Sequence, residues 1–129
     1  MSSNVPAGLK YSKEHEWVKM EGNIAVIGIT DHAQGQLGDI VFIELPKVGS
    51  AATYMKPLGV VESVKAASDI FSPLSGKVVA VNDGLGKTPE NVNKDCYGGG
   101  WMVKIEPSKP AELSQLLDEK AYAAYIANA

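Results

Sequence analysis

The sequence predicts a mostly β protein, a flattened barrel or sandwich with short peripheral helices and a C-terminal helical extension from about residue 108. Three observations predict it. Short β-branched runs recur at "EWVKM", "IAVIGIT", "DIVFIEL" and "GKVVAVN", and such runs bounded by turn residues read as strands. Turn signals divide them at Glu21-Gly22-Asn23, Val48-Gly49-Ser50 and Asn82-Asp83-Gly84. Beyond Ser108 the pattern changes, and Leu113, Leu116, Leu117 and Ala121 recur at helical spacing. The 129 residues suffice for one domain with a real core and are too few for two ordinary ones, so residues 1–129 read as a single domain.

Each element has a local reason. "EWVKM" alternates and leads through its glycine turn into "IAVIGIT". "TDHAQGQLGD" interrupts the strands, with Thr30 or Asp31 capping a short helix that ends near Gly35 or Gly38. "DIVFIEL" is a strand closed by Pro46. "KTPENVNKD" reads as a short helix with Thr88 as cap and Pro89 at its first position. "YGGGWMVKIEP" supplies a glycine-rich loop and a last strand, and "AYAAYIANA" extends the final helix or frays. "GNIAVIGITD" echoes "GKVVAVND", a weak sign of internal symmetry.

The segment "VVESVKAASDIF" admits two readings. Val60, Val64, Ala67 and Phe71 fall at helical spacing. Alternatively residues 58–64 and 68–74 are two strands with Lys65-Ala66-Ala67 at a hairpin tip. Among so many strands the hairpin is the better reading, and it projects Lys65 into solvent.

Composition excludes several classes. The chain is 45% hydrophobic and 21% charged with a net charge of −3, and its twelve basic residues are all lysines spread along the sequence. A nucleic-acid binder would cluster its basic residues and use arginine forks. No apolar run approaches the roughly 20 residues of a membrane span. The start "MSSNVPAGLKY" has neither the apolar core of a secretion signal nor the arginines of a transit peptide. Either the protein works where it is made, or this is a mature form with a replaced start. One cysteine, Cys96, excludes an internal disulfide and fits a reducing compartment.

The candidate functional residues each have an ordinary reading beside the functional one. Lys65 is one of twelve lysines. However, its turn lacks the glycine or asparagine of favoured two-residue hairpins, and the polar or small flanks Glu62, Ser63, Ser68 and Asp69 leave it accessible. His15 and His32 make a poor metal site without matched ligand spacing, and a structural role is favoured. Cys96 has no histidine nearby in sequence, which disfavours a catalytic thiol. The glycines at 98–100 lack a P-loop ending and read as a turn with unusual backbone angles. Trp17 and Trp101 read as core or groove-lining aromatics. Glu14, Glu16 and Asp69 read by themselves as solvated charges.

At "VESVKAASDIFSPLSGKVVAVN" the sequence closely resembles the lipoyl-attachment segment of glycine cleavage system H-proteins. The resemblance continues through "HEWV", "GNIAVIGITDHAQGQLGDIVFIELPKVG", "VNKD", "YGGGW" and "ELSQLL", from about Leu9 to Tyr122. It implies a lipoyl-domain fold, a barrel-sandwich hybrid, and lipoic acid in amide linkage to Lys65. It implies a non-catalytic carrier that takes an aminomethyl group from glycine decarboxylase (P-protein) to the aminomethyltransferase (T-protein). Dihydrolipoamide dehydrogenase (L-protein) then reoxidises it, and a lipoate-attaching enzyme loads it. Acidic residues at the positions of Glu16 and Asp69 would line a cleft for the loaded arm. Glu14 would join them in that cleft, although it stands where relatives often have a small polar residue. Cys96 stands where they commonly have proline, and Gly99 where many have an acidic residue. The start "NVPAGLKY" resembles mature plant and algal mitochondrial forms, so a monomer in the mitochondrial matrix is expected over one in a bacterial cytoplasm. Two other classes stay open: a lipoyl relay protein serving 2-oxoacid dehydrogenase complexes, and an enzyme using a buried Lys65 as a Schiff-base nucleophile.

Overall fold

The structure, a computed structural model, describes residues 4–127. The first three residues of the start, and Asn128 and Ala129 of the expected terminal helix, lie outside the described residues. Among the described residues nine strands form: β1 (Lys10–Tyr11), β2 (Glu16–Glu21), β3 (Ile24–Ile29), β4 (Ile40–Glu44), β5 (Ala51–Ala52), β6 (Pro57–Ser63), β7 (Ala67–Phe71), β8 (Gly76–Val81) and β9 (Val103–Pro107). Helices α1 (Asp31–Leu37), α2 (Asn91–Lys94) and α3 (Glu119–Ala127) sit between and after them. β1-β2-β3-β9-β8-β5 make one antiparallel sheet and β4-β6-β7 a second. The two sheets do not close into a barrel, so the sandwich half of the expectation describes the molecule.

The inner faces of both sheets meet in one core. Val18, Ala25 and Ile27 come from the larger sheet, and Ile40, Ile43, Val61 and Ile70 from the smaller. The echo between "GNIAVIGITD" and "GKVVAVND" has a structural counterpart. β3 and β8 flank β9, with Ala25 and Val78 both registered against Ile105 and Ile27 and Val81 both against Val103. A second cluster lies on the far side of β2, where Trp17 and Val26 join Tyr11 and Tyr122. This overturns the alternation expected of "EWVKM": Glu16, Trp17 and Val18 are all buried, with Trp17 and Val18 in different clusters.

Several expectations are corrected. Thr30 does cap α1, its Oγ1 accepting from Ala33 N at 3.2 Å, and Gly38 ends the helix at φ 79°. Thr88 does not cap a backbone amide: α2 starts only at Asn91 with Glu90 before it, and the Thr88 hydroxyl donates to Gly84 O at 3.0 Å and accepts from Asn91 Nδ2 at 3.1 Å. The continuous C-terminal helix is broken. A 3-10 turn, Pro110–Gln115, is followed by an extended residue, Leu116, and then by Leu117, which exchanges hydrogen bonds of 2.8 and 2.7 Å with the backbone of Tyr11. That edge pairing competes with helical bonding, so α3 starts only at Glu119. There Tyr122 is fully buried, stacked on Tyr11 with ring centroids 4.6 Å apart. The two-residue strands β1 and β5 carried no periodic signal. Among the described residues no helix is long and apolar enough to cross a membrane.

Candidate functional site

The contested segment is the β6–β7 hairpin. Glu62 pairs with Ala67 and Val61 with Ser68, so Ala67 belongs to β7 and the tip is Val64-Lys65-Ala66. Lys65 is exposed. A side chain does the work that glycine or asparagine does in other tips. Ser63 Oγ accepts from Lys65 N at 3.3 Å and Ala66 N at 3.2 Å, and donates to Ala66 O at 3.2 Å. Its own N–H meets Ala66 O at 2.7 Å. Serine is suited to this because its short hydroxyl reaches nearby backbone groups.

The tip is also braced from outside. Val64 N donates to Asp39 O at 3.1 Å, and the Lys65 stem passes close to Gly38, with Cε 3.9 Å from where a Cβ there would stand. Asn93 holds this corner: its Nδ2 donates to Gln34 Oε1 and Gly38 O, both at 2.8 Å, while its Oδ1 accepts from Ile40 N at 2.9 Å. Neither Ser63 nor Asn93 stood out as a site residue in the sequence, because one serves backbone groups and the other is far off in the chain. Ser63→Ala should therefore lower stability by about 1 kcal/mol and speed amide exchange at Lys65 and Ala66. Unchanged exchange at both amides would remove Ser63 from the support of the tip.

The three acidic candidates have different surroundings. Asp69 is exposed on β7, registered against Val60, which in turn pairs with Glu44. Glu14 is exposed in the turn before β2. Glu16 is 1% exposed. Its Oε1 accepts from Ser12 Oγ, and its Oε2 accepts from Phe71 N at 3.2 Å, on the same strand as Asp69 and two residues on. Among the described residues no ion pair includes Glu16. Loss of water on burial pushes its carboxyl up from 4.5 to about 7, against the lowering effect of these hydrogen bonds.

The remaining candidates take structural roles. His15 and His32 lie with ring centroids 4.8 Å apart, and His15 Nδ1 is 2.9 Å from Tyr122 Oη, which also bonds Thr30 Oγ1 at 2.7 Å. These contacts seat α3. No group of three or more metal-ligating side chains is assembled among the described residues. Cys96 is buried, and burial pushes its thiol up to about 12, away from the thiolate a nucleophile needs. Its carbonyl accepts from Trp17 Nε1 at 2.9 Å. The glycines at 98–100 do not have the positive φ expected of them. Two of them are instead set by crowding: a Cβ on Gly98 would stand 2.4 Å from Asp95 Oδ2, and one on Gly100 2.9 Å from three backbone atoms of α2 and Asp95, whereas one on Gly99 would meet only ordinary contact at 3.7 Å.

The family model of the glycine cleavage H-protein matches residues 9–129. A glycine cleavage system H protein of Myxococcus xanthus is 54% identical over 128 residues, 99% of either chain. That of Carboxydothermus hydrogenoformans is 59% identical over 120 residues, 93% of this chain and 92% of its own. A mitochondrial glycine cleavage system H protein of Flaveria trinervia is 55% identical over 121 residues, 94% of this chain and 73% of its own. The crystal structure of a glycine cleavage system H protein from Mycobacterium marinum matches with a TM-score of 0.88 at 32% identity, over 95% of this chain and 99% of that one.

Proposed function

We propose that this chain, which belongs to the glycine cleavage H-protein family, carries lipoate in amide linkage on Lys65 and serves as the mobile cofactor carrier of glycine cleavage. The observation that carries the reading is an exposed lysine at the tip of a braced hairpin, within a family match over nearly the whole chain. The residues fit the group. An amide needs an accessible amine, and among the described residues Lys65 makes no ion pair that would have to be broken. When bound, lipoate supplies a disulfide that takes up a one-carbon amine on reduction and leaves as a dithiol for reoxidation. The protein contributes a long tether on a rigid support, and no side chain of it needs to act as a catalyst.

The exposure of Lys65 argues against the Schiff-base enzyme, whose lysine must be desolvated. The relatives carry the name of the glycine cleavage system, which favours that role over a lipoyl relay. By this reading its partners are glycine decarboxylase, the aminomethyltransferase, dihydrolipoamide dehydrogenase and a lipoate-attaching enzyme. Bacterial and plant mitochondrial relatives match about equally well, at 54% and 55% identity in two of them. Bacterial relatives nevertheless outnumber the plant mitochondrial ones and are matched over more of their own length, so the family gives the bacterial cytoplasm more support than the mitochondrial matrix that the start of the chain suggested.

Glu16 and Asp69 are proposed to receive the ammonium of the loaded arm. The support is electrostatic. Glu16 is a buried carboxylate with no cation beside it, and its two oxygens retain lone pairs after the bonds to Ser12 and Phe71. The experiment for the function is reconstitution. Glycine breakdown by the three enzymes should depend on adding this chain in its lipoylated form. An equal rate without it would overturn the reading.

A further inference from the structure

The turn that carries Glu16 breaks a local rule. Lys13, Glu14 and His15 form a three-residue loop before β2, in which His15 N donates to Ser12 O at 3.1 Å and Ser12 N to Glu16 O at 2.9 Å. Loops of this kind end on a left-handed residue, and glycine is favoured there because it has no Cβ to crowd. His15 stands in that place with φ 73°. A side chain kept where glycine would sit with less strain needs a compensating use.

The imidazole enters a chain of hydroxyls. His15 Nδ1 lies 2.9 Å from Tyr122 Oη, which lies 2.7 Å from Thr30 Oγ1. Thr30 is fully buried, and its oxygen already accepts from Ala33 N at 3.2 Å. Its proton goes to Tyr122 Oη, its one acceptor among the described residues, because a buried donor left unpaired is costly. The proton of Tyr122 then goes to His15 Nδ1. That fixes the direction of the whole chain and requires a bare Nδ1, with the ring proton on Nε2. Loss of water on burial, and then His32 with its ring centroid 4.8 Å away, hold the imidazole below its ordinary 6.5, against the pull of Glu14. The other titratable groups around the ring are Tyr122 and Tyr125, both from α3. The backbone closes the same circle, since Thr30 N donates to His15 O at 3.0 Å.

We propose that His15 is a positioning residue for retention of the aminomethyl cargo: its bare Nδ1 ties the Glu16 turn to Tyr122 on α3 and to Thr30, the cap of α1. This rests on the reading of Glu16 as a receiver of the ammonium. Glu16 follows His15 directly, and one of its carboxylate oxygens is held by Ser12, at the other end of the same loop. Its second oxygen meets Phe71 N at 3.2 Å, so the loop sets where the carboxylate stands between β2 and β7. His15 thus acts through Glu16.

Three variants separate the use of the side chain from that of the backbone. His15→Gly keeps the left-handed turn and deletes the acceptor. Tyr122→Phe keeps the stack on Tyr11 and deletes the hydroxyl. His15→Asn keeps a residue that tolerates the left-handed region and an acceptor oxygen near the place of Nδ1. On the full aminomethyl-loaded chain, the first two should lose cargo about tenfold faster than the wild type, the scale of one charge-assisted hydrogen bond, and His15→Asn should stay within about twofold of it. In the unloaded chain, carbon NMR of the Glu16 carboxyl reads its place without any cargo. Its midpoint, about 7 in the wild type, should fall in His15→Gly and Tyr122→Phe as water reaches it, and should stay in His15→Asn. Nitrogen NMR of the wild type at neutral pH should show His15 Nδ1 bare and Nε2 protonated. An unchanged decay rate in both disruptive variants, an unmoved Glu16 midpoint in both, or a proton on Nδ1 overturns the proposal. If Glu16→Gln itself decays no faster than the wild type, the fault lies with Glu16 as receiver, and the cargo role of His15 falls with it.

Discussion

Lys65→Arg should abolish lipoate attachment and carrier activity while leaving the fold unchanged. Lys65 is exposed at the tip and its side chain closes no hydrogen bond of the hairpin, whose turn is held by Ser63 and by Asp39 O. Arginine keeps the charge and a long stem, so the stability change should stay within about 0.5 kcal/mol, as for surface substitutions generally. The guanidinium cannot form the amide, so glycine cleavage should fall to the rate seen without carrier. Peptide mapping after treatment with a lipoate-attaching enzyme checks this directly. Lipoyl on any of the other lysines, or on the variant, would overturn the assignment.

The second large effect concerns Glu16. Its carboxyl titrates at 4.5 when solvated and about 7 in the folded protein. An acid raised on folding binds more protons in the native than in the unfolded state between those two values. Its contribution to stability is therefore present below about 4.5 and is lost as pH rises to about 7. A shift of this size corresponds to about 3 kcal/mol. Glu16→Gln removes the titration and keeps both hydrogen bonds, the amide nitrogen donating to Ser12 Oγ and the oxygen accepting from Phe71 N. Urea titrations at pH 5 and pH 8 should show the variant gaining on the wild type by up to that amount at the higher pH. Parallel stability curves would mean that Glu16 does not carry the cost. The same variant, and Asp69→Asn, should lose aminomethyl cargo to hydrolysis faster than the wild type if these carboxylates hold the ammonium. A carboxylate kept in a buried place where an amide would be more stable is the pattern expected of a residue retained for function.

Much of this was legible along the chain. Strands β2, β3, β4 and β8 follow β-branched runs bounded by turns, and α1 follows from Thr30 and Gly38. The hairpin around Lys65 followed from the surrounding strands, although Ala67 turned out to belong to β7. Where reading failed, a distant partner had intervened. Leu117 lies at helical spacing but is drawn into a bridge with Tyr11, more than a hundred residues away, which delays α3. Thr88 failed for a local reason: it has the chemistry of a cap, but α2 starts only at Asn91, and the hydroxyl accepts from the Asn91 side chain instead of a helix amide.

What the sequence by itself determined is the class of fold and which lysine to propose for attachment, because β-branched runs, turn residues and a family motif are local and additive signals. Only the tertiary structure decided how that lysine is presented. Ser63 closes the tip, while Asp39, Gly38 and Asn93 brace it from another part of the chain. It alone decided that Glu16 is buried and uncompensated while Asp69 and Glu14 stand in water. The physical reason is that burial, and with it the ionisation of a carboxyl, depends on which distant segments exclude water from it. Nothing in the spacing of residues along a strand carries that information.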